Sequence, residues 1–87
     1  MCTMICHVAP FSGSGKGREG WFPLQNANVS YDHPFSLPDD HSLNIDFVNP
    51  AQGPSARVAV ELSVEAARSL VATIEAVLAE AEAGGHL

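Results

Sequence analysis

Basic residues are scarce in this 87-residue chain: four Lys and Arg stand against ten Asp and Glu, for a net charge of −6. Nucleic-acid binding rests on neutralising phosphates with Lys and Arg, so no nucleic-acid partner is expected. An anionic membrane surface is disfavoured on the same ground. No apolar run reaches the roughly 18 residues that span a bilayer. The opening stretch MCTMICHVAP carries no charge ahead of its apolar residues and no cleavage site, so it does not read as a signal peptide. Cysteine is equally sparse, with only Cys2 and Cys6. Four apart on one strand, they would lie about 13 Å from each other, too far for a disulfide. Free thiols point to a reducing cytoplasm.

The length allows one domain, residues 1–87. A chain of this size buries only about 60–65% of the surface it would expose unfolded. Its own core is therefore marginal, and such chains gain stability by self-association. A homo-oligomer is expected, and a dimer first, because two-fold pairs are the commonest closed assembly.

What is present begins at the C-terminus. From Val64 to about Ala83, apolar residues recur at Ala67, Leu70, Val71, Ile74, Val77, Leu78 and Ala81. This is a helical stripe. Ser63 suits the N-cap, Glu65 suits the first turn, and Gly84-Gly85 ends the run, with 84–87 expected to fray. Glu75, Glu80 and Glu82 keep the outer side wet.

Two segments ahead of the helix alternate with period two. Leu43, Ile45 and Phe47 share one face, and so do Val58, Val60 and Leu62. The turn mixture NPAQGPS lies between them, so the pair reads as an antiparallel hairpin. Pairing Phe47 with Val58, Ile45 with Val60 and Leu43 with Leu62 puts all six apolar groups together, and a one-residue slip would scramble both faces. The opposite face carries Asn44, Asp46, Arg57 and Glu61, either solvated or half of an isologous interface. Asp46 and Arg57 lie diagonally and can pair.

Residues 2–8 predict a strand with Cys2, Cys6 and Val8 on one side and Ile5 and His7 on the other. Residues 26–31 predict another, with Ala27, Val29 and Tyr31 aligned. The proline-bearing segment 32–41 is a loop. The predicted fold class is α+β: about four mainly antiparallel strands with one C-terminal helix packed on one face.

The glycine-rich stretch Gly13-Ser-Gly-Lys-Gly17 invites comparison with a phosphate loop. It fails the pattern, because Gly17 stands where Ser or Thr should follow Lys16, Pro10 stands where the first glycine should, and no helix can start at GREGWFPL. No nucleotide is expected. The stretch reads as a flexible connection, with Trp21 and Phe22 anchoring its far end. Lys16 and Arg18 hold half of the basic residues and form a candidate anion site.

The better chemical lead is imidazole. His33 and His41 flank the loop HPFSLPDDH, and a prolyl turn can bring them together. With His7, Cys2 or Asp46 nearby they would suit a transition metal such as zinc, iron or copper. Asp32-His33-Pro34 reads equally as an Asx-type turn, with the histidines serving only structure. Two functions follow. One is a small oligomeric metal- or ligand-binding protein with a histidine-based site, open to a small molecule and to metalloenzyme chemistry. The other is a non-catalytic module that binds a partner or itself.

The segments Met-Cys-Thr at 1–3, Gly-Ser-Gly-Lys-Gly at 13–17, Asp-His-Pro at 32–34, His41 and Ala-Arg-Val-Ala-Val-Glu-Leu at 56–62 together resemble a family of short bacterial proteins. That family is seen in actinobacteria and proteobacteria and carries a domain of unknown function. The resemblance covers nearly the whole chain. It implies a stand-alone bacterial cytoplasmic protein and transfers no activity.

Overall fold

The computed structural model describes residues 5–87. Four antiparallel strands form the main sheet in the order β1-β4-β5-β6: β1 is Ile5–Pro10, β4 Asn26–Asp32, β5 Ser42–Val48 and β6 Arg57–Leu62. Between β1 and β4 the chain makes a separate hairpin of β2 (Ser14–Gly17) and β3 (Gly20–Pro23). A 3₁₀ turn at Pro50–Gln52 joins β5 to β6, and one helix, α1 (Val64–Ala83), completes the chain. The fold is α+β.

The β5–β6 register is the one that hydrophobic alternation dictates: Leu43 faces Leu62, Ile45 faces Val60 and Phe47 faces Val58. Directly opposed residues point to the same side of a sheet. The β4–β5 ladder therefore adds Tyr31, Val29 and Ala27 to that side, and the β1–β4 ladder adds Ile5, His7 and Ala9. Residues 26–32 form an interior strand, paired on both edges. The β1 strand runs on to Pro10, and the part of the expected 2–8 strand before Ile5 lies outside the described residues.

The 13–17 stretch is not the flexible connection expected from its glycines. It enters β2, which pairs Gly15 with Phe22, Lys16 with Trp21 and Gly17 with Gly20. The reason is close approach. A Cβ on Gly17 would stand 3.1 Å from the Ser55 carbonyl oxygen and 3.0 Å from the Phe22 ring. A Cβ on Gly15 would stand 2.9 Å from the end of Leu24. Bare backbone lets the hairpin lie flush on the start of β6. Arg18 and Glu19 turn the hairpin without positive φ, and Gly20, at φ 114°, takes the conformation they cannot. Phe22 is buried as expected, but Trp21 is 70% exposed. Asn49 ties the hairpin to the β5–β6 connection, donating from Nδ2 to the Pro23 carbonyl at 2.8 Å and accepting from the Ala51 amide at 3.2 Å.

Helix α1 begins where expected, with the Ser63 hydroxyl accepting from the Ala66 amide at 3.0 Å. Its end is more ordered than a frayed tail. The His86 amide donates to the Ala81 carbonyl and the Gly85 amide to that of Glu82, with Gly85 at φ 76°. This is a Schellman closure. The helix lies along the apolar side of the sheet, yet none of its residues is buried. Its connection to β6 is a single residue, Ser63, so it leaves from the sheet's margin and contacts chiefly β5 and β6. Among the described residues, Phe22, Ala27 and Ala56 are the buried apolar ones. Sheet and helix thus bound an open apolar groove of about 700 Å³ where a core would sit.

The glycine contacts give a rank order. Gly17→Ala meets fixed backbone and should destabilise by about 1–3 kcal/mol, whereas Gly15→Ala meets a mobile Leu24 methyl and should cost less. Urea midpoints in that order support the flush packing of β2; the reverse order removes it.

Candidate functional site

The β4–β5 ladder ends at the pair Asp32–Ser42. One step further along both strands lie His33 and His41, on the same side as Tyr31 and Leu43. Their rings stack with centroids 4.7 Å apart at 28°, and His41 also stacks on Tyr31 at 5.5 Å and 18°. His33 is exposed and His41 half-buried. Nδ1 of His33 lies 3.0 Å from the Asp40 carbonyl oxygen. A carbonyl only accepts, so Nδ1 donates here, which leaves Nε2 as the free nitrogen of the ring.

The loop between the histidines is held from a distance. The Glu61 carboxylate, at the end of β6, accepts from the amides of Phe35, Ser36 (2.9 Å) and Leu37 (3.2 Å). These bonds, Phe35 first and Ser36 next, hold the Glu61 carboxyl below the usual glutamate range. Sequence reasoning placed Glu61 on a solvated face and missed this role. A weak signal existed: a loop with two prolines has amides with no ladder to join, and a carboxylate at the neighbouring strand end can satisfy them. Asp32 is buried, and its Oδ1 accepts from the His33 amide at 2.7 Å. The bond goes to the next residue because Pro34 has no amide hydrogen to offer.

The other predicted ligands stand elsewhere. His7 sits in mid-strand opposite Val29, four positions along β4 from His33 or about 13 Å. Asp46 points to the opposite side of the sheet and pairs with Arg57, 2.8 Å to Nη2 and 3.0 Å to Nε, the diagonal pair expected. Placing Asp46 beside the histidines is therefore corrected by strand parity, since odd and even positions face apart. Cys2 lies outside the described residues, and Cys6 is a free exposed thiol opposite Ser30. Among the described residues no group of three or more His, Cys, Asp and Glu side chains converges. Lys16 stands across from Trp21, and Arg18 occupies the hairpin turn beside Glu19, Pro54 and Ser55. No helix among the described residues is long and apolar enough to cross a membrane.

The model of the Family of unknown function (DUF6295) matches residues 1–87. The chain belongs to this family. No curated protein and no solved structure matches it. Membership accords with the domain of unknown function anticipated from the sequence and brings no activity, so the side chains themselves must carry any functional reading.

A carboxylate whose value is lowered by folding contributes stability above its unfolded value and loses it as pH falls through the folded one. The 35–37 amides should therefore stay protected at neutral pH and open only at acidity below the ordinary glutamate range. Glu61→Gln should speed their hydrogen exchange on the order of tenfold at neutral pH. Unchanged protection at Phe35, Ser36 and Leu37 would remove Glu61 as the loop's clamp.

Proposed function

We propose that the chain is a small homo-oligomeric, cytoplasmic protein that binds a metal ion or a small ligand through His33 and His41. The observation that supports this is the meeting of the two imidazoles at the ends of a loop fastened by Glu61; the rings are stacked, so a shared ion requires one of them to rotate until both nitrogens face it. The Asp40 carbonyl orients His33 with Nε2 available, the kind of outer contact that metal-bound histidines make. Imidazole donors suit zinc, iron or copper. Two protein ligands are one fewer than open zinc sites commonly have, so water or a small molecule would fill the remaining positions. The exposed free thiol of Cys6 suits a reducing compartment. A second reading, a partner-binding module without chemistry of its own, is favoured by the apolar groove and shares the oligomer.

The test uses protein made without a histidine tag, titrated with Zn²⁺, Fe²⁺ and Cu²⁺ by calorimetry. One of these ions should bind, and His33→Ala or His41→Ala should abolish binding. His7→Ala should leave it unchanged. No binding of any of the three ions, or binding that survives both alanine variants, sinks the metal reading.

A further inference from the structure

The groove between sheet and helix is lined by Tyr31, Leu43 and Leu62 at its histidine end and by Phe11, Ala27 and Phe47 at the other. Along the helix, Val64, Leu70, Val71, Ile74, Val77 and Leu78 are each between 41% and 59% exposed. Single exposed aliphatics are ordinary; a contiguous stripe facing a contiguous apolar sheet is not.

Two dimensions show how much is uncovered. The radius of gyration is 14.8 Å, against about 12 Å for a compact chain of this length. The accessible surface is 6376 Å², against about 4,900 Å² for a compact monomer of this mass. The surplus is on the order of 1,000 Å² or more per chain. Trp21 and Phe35, 70% and 91% exposed, lie outside the groove and take part of that surplus; a two-fold pair that covers the remainder on both chains falls in the size range of stable interfaces.

The helix also carries the shape of its own partner. Read outward from Ile74, Val71 matches Val77, Leu70 matches Leu78 and Ala67 matches Ala81. At the same spacing Arg68, the one basic residue of α1, matches Glu80. Two such helices laid antiparallel about an axis through Ile74 set each apolar residue against its like and each arginine against a carboxylate. Isologous pairing requires this self-complementarity. Among the described residues the one ion pair is Arg57–Asp46, and Arg68 has no carboxylate partner among them.

We propose that a second copy of this chain occupies the groove, the two α1 helices packing antiparallel about a two-fold axis at Ile74 and each covering the apolar sheet face of the other. The interface is thus the apolar side of the sheet, not the polar side with Asn44, Asp46, Arg57 and Glu61. This deepens the oligomeric part of the preceding reading and is independent of its metal part. Tyr31 lines the groove and stacks on His41, whereas neither His33 nor His41 lines it.

Light scattering on the full chain, in chelator so that metal plays no part, tests the proposal. Wild type should show twice the 9.2 kDa chain mass. Ile74→Glu puts two carboxylates on the axis and should give a monomer, its helical circular dichroism reduced if the pair supplies the helix's packing. Arg68→Glu should raise the dissociation constant about three- to tenfold, and Arg68→Glu with Glu80→Arg should restore it. A monomeric wild type overturns both this proposal and the oligomeric reading, and uptake of an apolar dye by that monomer would assign the groove to a small ligand. A dimer unmoved by Ile74→Glu and by the charge exchange overturns the proposed face alone and leaves the oligomer standing. The metal titration fails or succeeds separately.

Discussion

Alternation of apolar and polar residues in β4, β5 and β6, departed from only by Val48 and Ala59, is the constraint on which the rest of the molecule depends. Because opposed residues share a face, three alternating strands in one register put Ala27, Val29, Tyr31, Leu43, Ile45, Phe47, Val58, Val60 and Leu62 on one side. A slip of one residue in any ladder would send that strand's apolar row to water, so the register has no near competitor. The groove, the position of the helix and the meeting of His33 with His41 all follow. The histidines oppose each other only because the ladder beneath them is in step as far as Asp32 and Ser42.

The loop above that ladder shows how a proline-rich segment is held in shape. Pro34 and Pro38 deny it strand partners, and its amides need acceptors. Glu61 supplies one acceptor group for three consecutive amides, so a single carboxylate does what a turn of secondary structure would do elsewhere. Asp32 acts in the same way on the first amide of the loop. The result is a loop whose ends are set by the sheet and whose middle is set by the end of β6. The imidazole pair therefore rests on a defined frame rather than on a free tip.

Much of this was legible because it is local or strictly periodic. The β5–β6 register, the helix with its Ser63 cap, the diagonal Asp46–Arg57 pair and the burial of Phe22 could all be read from spacing and residue type. What was not legible depends on contacts between segments far apart in the chain. The glycines at 15 and 17 look like flexibility when read alone; next to Ser55 and Leu24 they are the condition for close packing. Glu61 looks like a wet surface residue until the loop 25 residues earlier is folded onto it. Asp46 could be drawn toward the histidines by proximity in sequence, although its parity faces it away. The meeting of His33 and His41 was the middle case: a prolyl turn allowed it, but the ladder that sets it shows only once β4 extends to Asp32.

The helix shows why local signals and a missing core can coexist. Its Ser63 cap, alanine-rich interior and Schellman closure all favour helix formation. A helix of 20 residues is still marginal when its apolar side faces water. Ser63 alone joins α1 to β6, so the helix starts at the sheet's margin, and along its length it contacts chiefly β5 and β6. The stripe is symmetric about Ile74, and the one arginine stands where symmetry meets a glutamate. Every local choice in α1 is thus consistent with a helix whose apolar contacts are supplied from outside the chain. The pairing of two α1 helices proposed above would draw on that agreement between local and global requirements.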